Sequence, residues 1–198
     1  MQKVSVKTYP DVVPRRSEIL RYLGIPKGEE LPLLDECMRE LQGVTGQVCY
    51  TECPIEWAED GLLLGPFHTA SRDLAAALRG CERAVVFAAT AGIVFDRLIA
   101  RNARLAPSRA LVFQAIGAEY VEAVCDAFCR DLSRDCAKEG IRLRPRYSPG
   151  YGDLPLAFQK QVFQLLSPEC IGIALGENLL MTPSKSVTAV IGLQKERV

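Results

Sequence analysis

A short segment in the last third of the chain has the composition of a ligand-binding loop. Residues 146–153 read RYSPGYGD, which continues neither a helix nor a central strand because proline lacks a backbone donor and glycine loses much conformational entropy. Gly150 and Gly152 let the backbone approach a ligand closely, and the guanidinium of Arg146 suits a carboxylate. Composition alone leaves one alternative open, an ordinary connection between a strand and a helix.

Cysteine and histidine often form metal sites or catalytic sites, but in this sequence their spacing matches neither kind of site. The eight cysteines accompany no signal-peptide core and form no tight Cys-x-x-Cys pair, so their spacing favours reduced, buried thiols and no metal site. His68 is the single histidine. No nucleophile motif lies near it, which favours a histidine on a surface loop over a Ser-His-Asp site.

The overall composition excludes several classes of partner. Lysine and arginine number 24, as do aspartate and glutamate, and no basic run exceeds two residues, so a nucleic-acid partner is not expected. No apolar run approaches the roughly 20 residues of a membrane span, and residues 1–10 alternate polar with apolar side chains. We therefore expect a soluble, cytoplasmic protein that does not contact membranes.

The elements that must position the loop predict an α+β fold. Helices and strands do not alternate regularly, which favours a single mixed domain over residues 1–198, with a twisted, mostly antiparallel central sheet flanked by helices. The predicted strands are 3–8, 47–57 (interrupted by Pro54), 62–64, 83–89, 141–146, 171–175 and 186–193, and the predicted helices are 15–23, 32–42, a short one capped by Ser71, 93–102, a long one over about 107–139, and 155–166.

Two charge patterns flank the loop. In the long helix, Glu119, Glu122 and Asp126 form a polar stripe, and periodicity alone makes Glu122 a solvated charge. In the strand before the loop, arginines at 142, 144 and 146 alternate with apolar residues and are predicted to share one face. Three guanidinium groups so close either spread into solvent or have an anion across them.

The loop and the block after it resemble the activation domain of cobalamin-dependent methionine synthase, in its stand-alone form. The resemblance covers residues 80–193 well and residues 1–80 weakly. It is carried by residues 146–153, Pro155, Gln159, residues 171–173, Glu177, Met181, Pro183 and residues 186–188.

The resemblance implies a ligand and a set of contacts. Members of that family bind S-adenosylmethionine and present its methyl group to cob(II)alamin, while flavodoxin or a similar donor supplies an electron. By the motif, Arg146 would hold the carboxylate, Ser148 and Gly150 would offer backbone contacts, and Tyr151 would face the cobalt. Alignment of the long helix adds Glu122 as a ligand contact.

The departures from the family pattern leave three functions open. Aromatic contacts near the end of the family domain are expected to be missing here, and Glu56 is the candidate for an early acidic contact. The favoured function is an accessory protein that reactivates a separate, cobalamin-bound methionine synthase, with no independent active site. The alternatives are a free-standing S-adenosylmethionine-dependent methyltransferase and an activator of another corrinoid protein.

Overall fold

The computed structural model describes residues 3–10, 12–26 and 28–195, and it confirms the mixed α+β fold. That residues 1–198 form one domain stays a prediction. The helices are α1 (Arg16–Tyr22), α2 (Pro32–Arg39), α3 (Arg72–Ala77), α4 (Val94–Asn102), α5 (Pro107–Ala137) and α6 (Gln159–Leu166), with 3₁₀ turns at Leu156–Phe158 and Pro168–Ile171. The strands are β1 (Ser5–Tyr9), β2 (Gly46–Ala58), β3 (Gly61–Leu64), β4 (Phe67–Thr69), β5 (Arg83–Thr90), β6 (Ile141–Leu143), β7 (Ala174–Leu175), β8 (Met181–Thr182) and β9 (Ser186–Lys195).

The main sheet is antiparallel throughout and runs in the order β4-β3-β2-β5-β9-β6. The long strand β2 has two partners on one edge, because β1 pairs with its first half and β3 with its second. The central strand β5 is buried from Ala84 to Thr90. This burial confirms the prediction, made from its continuous apolar run, of a strand covered on both faces.

Two apolar clusters cover the two faces of this sheet. Along β5, Val85, Phe87 and Ala89 join the cluster that contains α1, α2, α4 and α5. The alternate residues of β5 join the cluster that contains α3 and α6. This division follows from the period of two in a strand, where successive side chains point to opposite faces.

The long helix α5 begins at Pro107, a residue suited to the first helical turn, and ends at Ala137, two residues before the predicted end. In the sequence of this helix, apolar residues recur every three or four positions from Val121 to Cys136, which predicts a buried stripe. The stripe is buried through Phe128 and becomes partly exposed at Cys129 and beyond. The ring of Phe128 lies 5.0 Å from the rings of both Tyr50 and Phe87. These contacts fix the helix against the sheet and therefore fix the position of its polar stripe.

Three local predictions were wrong. Strand β2 continues through Pro54, which lies at the end of the β5 ladder where a missing N–H donor costs little. Residues 171–175 contain only the short strand β7, because Pro168–Ile171 forms a 3₁₀ turn. His68 lies in β4, opposite Leu63, and not in a loop.

The predicted shared face of the three arginines was also wrong. Leu143 pairs with Leu193, and Tyr147 pairs with Val190. The segment that continues β6 therefore advances four residues while β9 advances three. This extra residue acts as a bulge next to Pro145 and inverts the alternation of side chains. Consequently Arg144 donates to the Ala77 carbonyl on the α3 side, at 3.1 Å, while Arg146 points to α5.

The cysteines are all free thiols, and most are buried. Burial raises the pKa of the Cys49 and Cys53 thiols to about 12, so both stay protonated at neutral pH. The expectation of buried thiols fails for Cys170, which is exposed. No group of three or more His, Cys, Asp or Glu side chains suited to a metal ion is found in the described residues. None of the described helices is long and apolar enough to cross a bilayer.

Candidate functional site

The motif loop (residues 146–153) has a defined shape. It is tied to the sheet at Tyr147, whose N–H donates to the Val190 carbonyl at 2.9 Å and whose carbonyl accepts from the Val190 N–H at 2.8 Å. Gly150 and Gly152 then adopt φ values of 93° and 51°, which other residues rarely take. The Gly150 N–H donates to the Leu154 carbonyl at 2.9 Å, so the loop folds back on itself.

The far end of the motif loop is attached to the beginning of α3. The Asp153 carboxylate accepts hydrogen bonds from the Ser71 hydroxyl and from the N–H groups of Arg72 (2.8 Å) and Asp73 (3.2 Å). In return, the Asp73 carboxylate accepts from the Asp153 N–H at 3.2 Å. These bonds, that of Ser71 foremost, hold the pKa of Asp153 below its usual value. The sequence predicted Ser71 as a cap and Asp153 as part of the loop, but it did not indicate that the two would bind each other.

Gly152 is the residue that makes this attachment possible. A Cβ atom there would collide with the Asp73 carboxylate and the Tyr147 hydroxyl. We expect Gly152→Ala to lower the free energy of unfolding by about 1–2 kcal/mol through its left-handed backbone alone, with the collision adding to that. Urea unfolding measures the loss. Gly172→Ala is the matched control, because Gly172 has φ 76° but no atom within 4 Å of a new Cβ. Equal losses in the two variants would contradict a role for the collision.

Arg146 leaves the loop toward helix α5 and meets two carboxylates there. Its Nη2 pairs closely with Glu122 Oε2 and lies 3.5 Å from Asp126 Oδ1. Glu122 and Asp126 are one helical turn apart, so both face the same neighbour. All three side chains are partly exposed, at 27%, 33% and 37% for Arg146, Glu122 and Asp126. The structure thus brings Arg146 and Glu122 together, and Glu122 is not simply a solvated charge.

These two carboxylates do not satisfy all the hydrogen-bond donors of the Arg146 guanidinium. Its Nη1 is buried and has no hydrogen-bond partner among the described residues. Burial by itself lowers the pKa of Arg146, but the neighbouring Cys125, Glu122 and Asp126 raise it, and the net direction is upward. A buried, permanently charged donor without an acceptor is costly and is usually matched by an anion. Arg146 therefore keeps one unused donor, Nη1, which a ligand carboxylate would reach once the atoms that cover it move aside.

A second arginine approaches the same helix from the N-terminal part of the chain. The N–H and Nε of Arg15 donate to Glu119 Oε1 at 3.3 and 2.8 Å, and its Nη2 lies 3.6 Å from Asp126 Oδ2. The hydrogen bond to Glu119 is the main cause that raises the pKa of Arg15. Glu119 is only 1% exposed, so this member of the polar stripe is buried and not in contact with solvent. The sequence carries no signal for this pairing, which joins residues 104 positions apart.

An open groove of about 470 Å³ lies beside these charges. This volume falls within the range of small-molecule sites. Asp126 belongs both to the groove and to the pair with Arg146, so the groove opens next to the motif arginine. None of the five predicted site residues, Glu122, Arg146, Ser148, Gly150 and Tyr151, is among its lining residues. The groove is formed by one face of α5 and by residues 9, 10 and 12–15, here called the strap. It is lined by Tyr9, Pro10, Val12, Val13, Arg15, Ala123, Asp126, Ala127 and Arg130.

Glu56 is not part of this site. It lies on β2 opposite Leu63, whereas Tyr9 in the strap pairs with Gly46 at the other end of the same strand. Ten residues of strand separate Gly46 from Glu56, which is about 33 Å. Glu56 therefore lies far from the groove, and its role as the early acidic contact stays a prediction.

Comparison with known proteins supports the fold of this site. No protein-family model and no curated protein matches the sequence. Among solved structures, the chain is similar to one described as the crystal structure of the MetH reactivation domain bound to AdoHcy, with a TM-score of 0.75 over 100% of this chain and 80% of that chain. The two share a fold. Their identity is 13%, so the ligand named for MetH is a property of that protein.

Proposed function

We propose that this chain binds S-adenosylmethionine and that Arg146 holds the carboxylate of the ligand. The observation that carries the proposal is the buried Nη1 of Arg146, a charged donor without a described partner. A carboxylate is the group that a guanidinium binds best, because two parallel hydrogen bonds form at once. The similar fold of the MetH domain bound to AdoHcy supports the same class of ligand.

The remainder of the ligand suits the groove. S-adenosylmethionine carries an ammonium and a sulfonium, and the acidic side chains of α5 beside Arg146 complement these positive charges. The apolar side chains of Val12, Ala123 and Ala127 and the ring of Tyr9 offer a surface for the adenine and ribose. The amino acid end would then lie at Arg146 and the nucleoside end between the strap and α5.

The proposed role is to reactivate a cobalamin-bound methionine synthase core supplied as a separate protein. An electron from flavodoxin or a similar donor would reduce the cob(II)alamin of the partner protein, and S-adenosylmethionine held by this chain would supply the methyl group and leave as S-adenosylhomocysteine. The contribution of this chain is to hold the methyl group in line with the cobalt, which is catalysis by positioning.

Two features support a role as partner over that of an independent methyltransferase. Asp153, the acidic group of the motif loop, already accepts hydrogen bonds from Ser71, Arg72 and Asp73, which leaves it poorly placed to move protons. Tyr151 is 68% exposed on a loop anchored at both ends. Such an aromatic side chain is suited to contact a second protein.

The proposal is tested first by calorimetric titration with S-adenosylmethionine and then by a spectroscopic assay. The assay follows conversion of cob(II)alamin to methylcobalamin on a methionine synthase core in the presence of an electron donor. We expect Tyr151→Ala to keep S-adenosylmethionine affinity within a few-fold, since its side chain lies outside the groove, but to slow methylcobalamin formation. Tyr22→Ala, which removes another exposed tyrosine, is the control and should change neither quantity.

The two measurements separate the competing functions. Absence of binding would overturn the proposed ligand. Binding combined with methylation of a small molecule by the isolated chain, without any corrinoid protein, would favour a free-standing methyltransferase. Binding together with reactivation of a different corrinoid protein, and none of methionine synthase, would contradict the proposed partner.

A further inference from the structure

Three carboxylates on the same face of α5 differ in how firmly they are engaged. Glu119 is buried and accepts two hydrogen bonds from Arg15. Glu122 forms a close pair with Arg146. Asp126 lies 3.6 Å from Arg15 Nη2 and 3.5 Å from Arg146 Nη2, and both distances exceed the roughly 2.7–2.9 Å of a charge-assisted hydrogen bond. Asp126 therefore has the weakest contacts with its partners among the three acids.

Asp126 also lines the groove, which the other two acids do not. Its side chain is 37% exposed. The two arginines lie near different oxygens of its carboxylate, Arg15 of the strap near Oδ2 and Arg146 of the motif loop near Oδ1. This arrangement places a negative charge on the wall of the groove, 3.5 Å from Nη2 of Arg146.

We infer that Asp126 binds the α-ammonium group of the ligand and thereby selects ligands that carry an amino acid end. This inference rests on the proposed function. The ammonium and carboxylate of an amino acid are attached to one carbon atom, and Asp126 and Arg146 offer the two opposite charges side by side. Glu122 is then a positioning residue, because its pair with Nη2 holds the guanidinium of Arg146 in place beside Asp126.

Three ligands distinguish these roles. S-adenosylmethionine has both groups, decarboxylated S-adenosylmethionine keeps the amine but lacks the carboxylate, and 5′-methylthioadenosine has neither. We expect Asp126→Asn to weaken binding of the first two by about tenfold, the effect of one charge-assisted contact, and to leave 5′-methylthioadenosine within about twofold. Arg146→Ala and Glu122→Gln should weaken only S-adenosylmethionine.

The control variant is Asp135→Asn, which makes the same change on α5 at an exposed position paired with Lys138. It should alter binding of none of the three ligands. An unchanged affinity of Asp126→Asn for S-adenosylmethionine would overturn the inference, as would an equal loss for 5′-methylthioadenosine, which would indicate a change in groove shape. If the unaltered protein bound none of the three ligands, the proposed function itself would fail, which is a different result.

Discussion

Replacement of Arg146 by alanine is expected to weaken S-adenosylmethionine binding by about 2 kcal/mol, or roughly 30-fold. The variant removes the donor that we assign to the ligand carboxylate, and hydrogen bonds to charged groups are worth more than neutral ones. It also leaves Glu122 and Asp126 without their shared cation, which further disfavours an anionic ligand end. Calorimetric titration measures the change.

The fold should survive this replacement. Arg146 is partly exposed, and the backbone of the loop is held by Tyr147 and Asp153 and not by the arginine side chain. Arg146→Lys should recover little affinity, because an ammonium cannot form two parallel hydrogen bonds to a carboxylate. Arg142→Ala is the matched control, since Arg142 is exposed and lies in β6. Equal binding by Arg146→Ala and the unaltered protein would remove Arg146 from the site.

The second large effect is expected in stability, from replacement of Phe128 by alanine. Phe128 is fully buried and contacts the rings of Tyr50 and Phe87 from two strands of the sheet. Its truncation should lower the free energy of unfolding by about 3–5 kcal/mol, because a cavity remains where the ring was. This is a large fraction of the 5–15 kcal/mol typical of a folded domain. The midpoint of urea unfolding reports the loss.

A control on the same helix separates burial from helix propensity. Leu111 also lies in α5 but is 59% exposed, and Leu111→Ala should change stability by no more than about 0.5 kcal/mol. Similar losses in both variants would mean that Phe128 does not join α5 to the sheet. If Phe128→Ala remains folded, saturation with S-adenosylmethionine at 100 times its dissociation constant should stabilise it by about 2.7 kcal/mol relative to the unbound variant.

Local patterns in the sequence were sufficient to predict the elements that carry the site. The apolar run of β5, the stripe of α5 and the cap at Ser71 all appear in the structure where they were expected. The shape of the motif loop also follows from its residues, because Gly150 and Gly152 take backbone conformations that other side chains resist. These features depend on neighbours within a few positions, which a single sequence displays directly.

Other features of the site were decided only by the tertiary structure. The bulge at Pro145 turns Arg146 to α5 and Arg144 to α3. The alternation of polar and apolar residues along a strand does not reveal where an extra residue is inserted. Arg15 pairs with the buried carboxylate of Glu119, which is 104 positions away in the sequence. The groove exists only where the strap lies against α5. Each depends on which surfaces pack together. The sequence by itself determined the loop, the helix and the strands, whereas long-range packing determined which charges meet, because periodicity encodes the face of an element but not its partner.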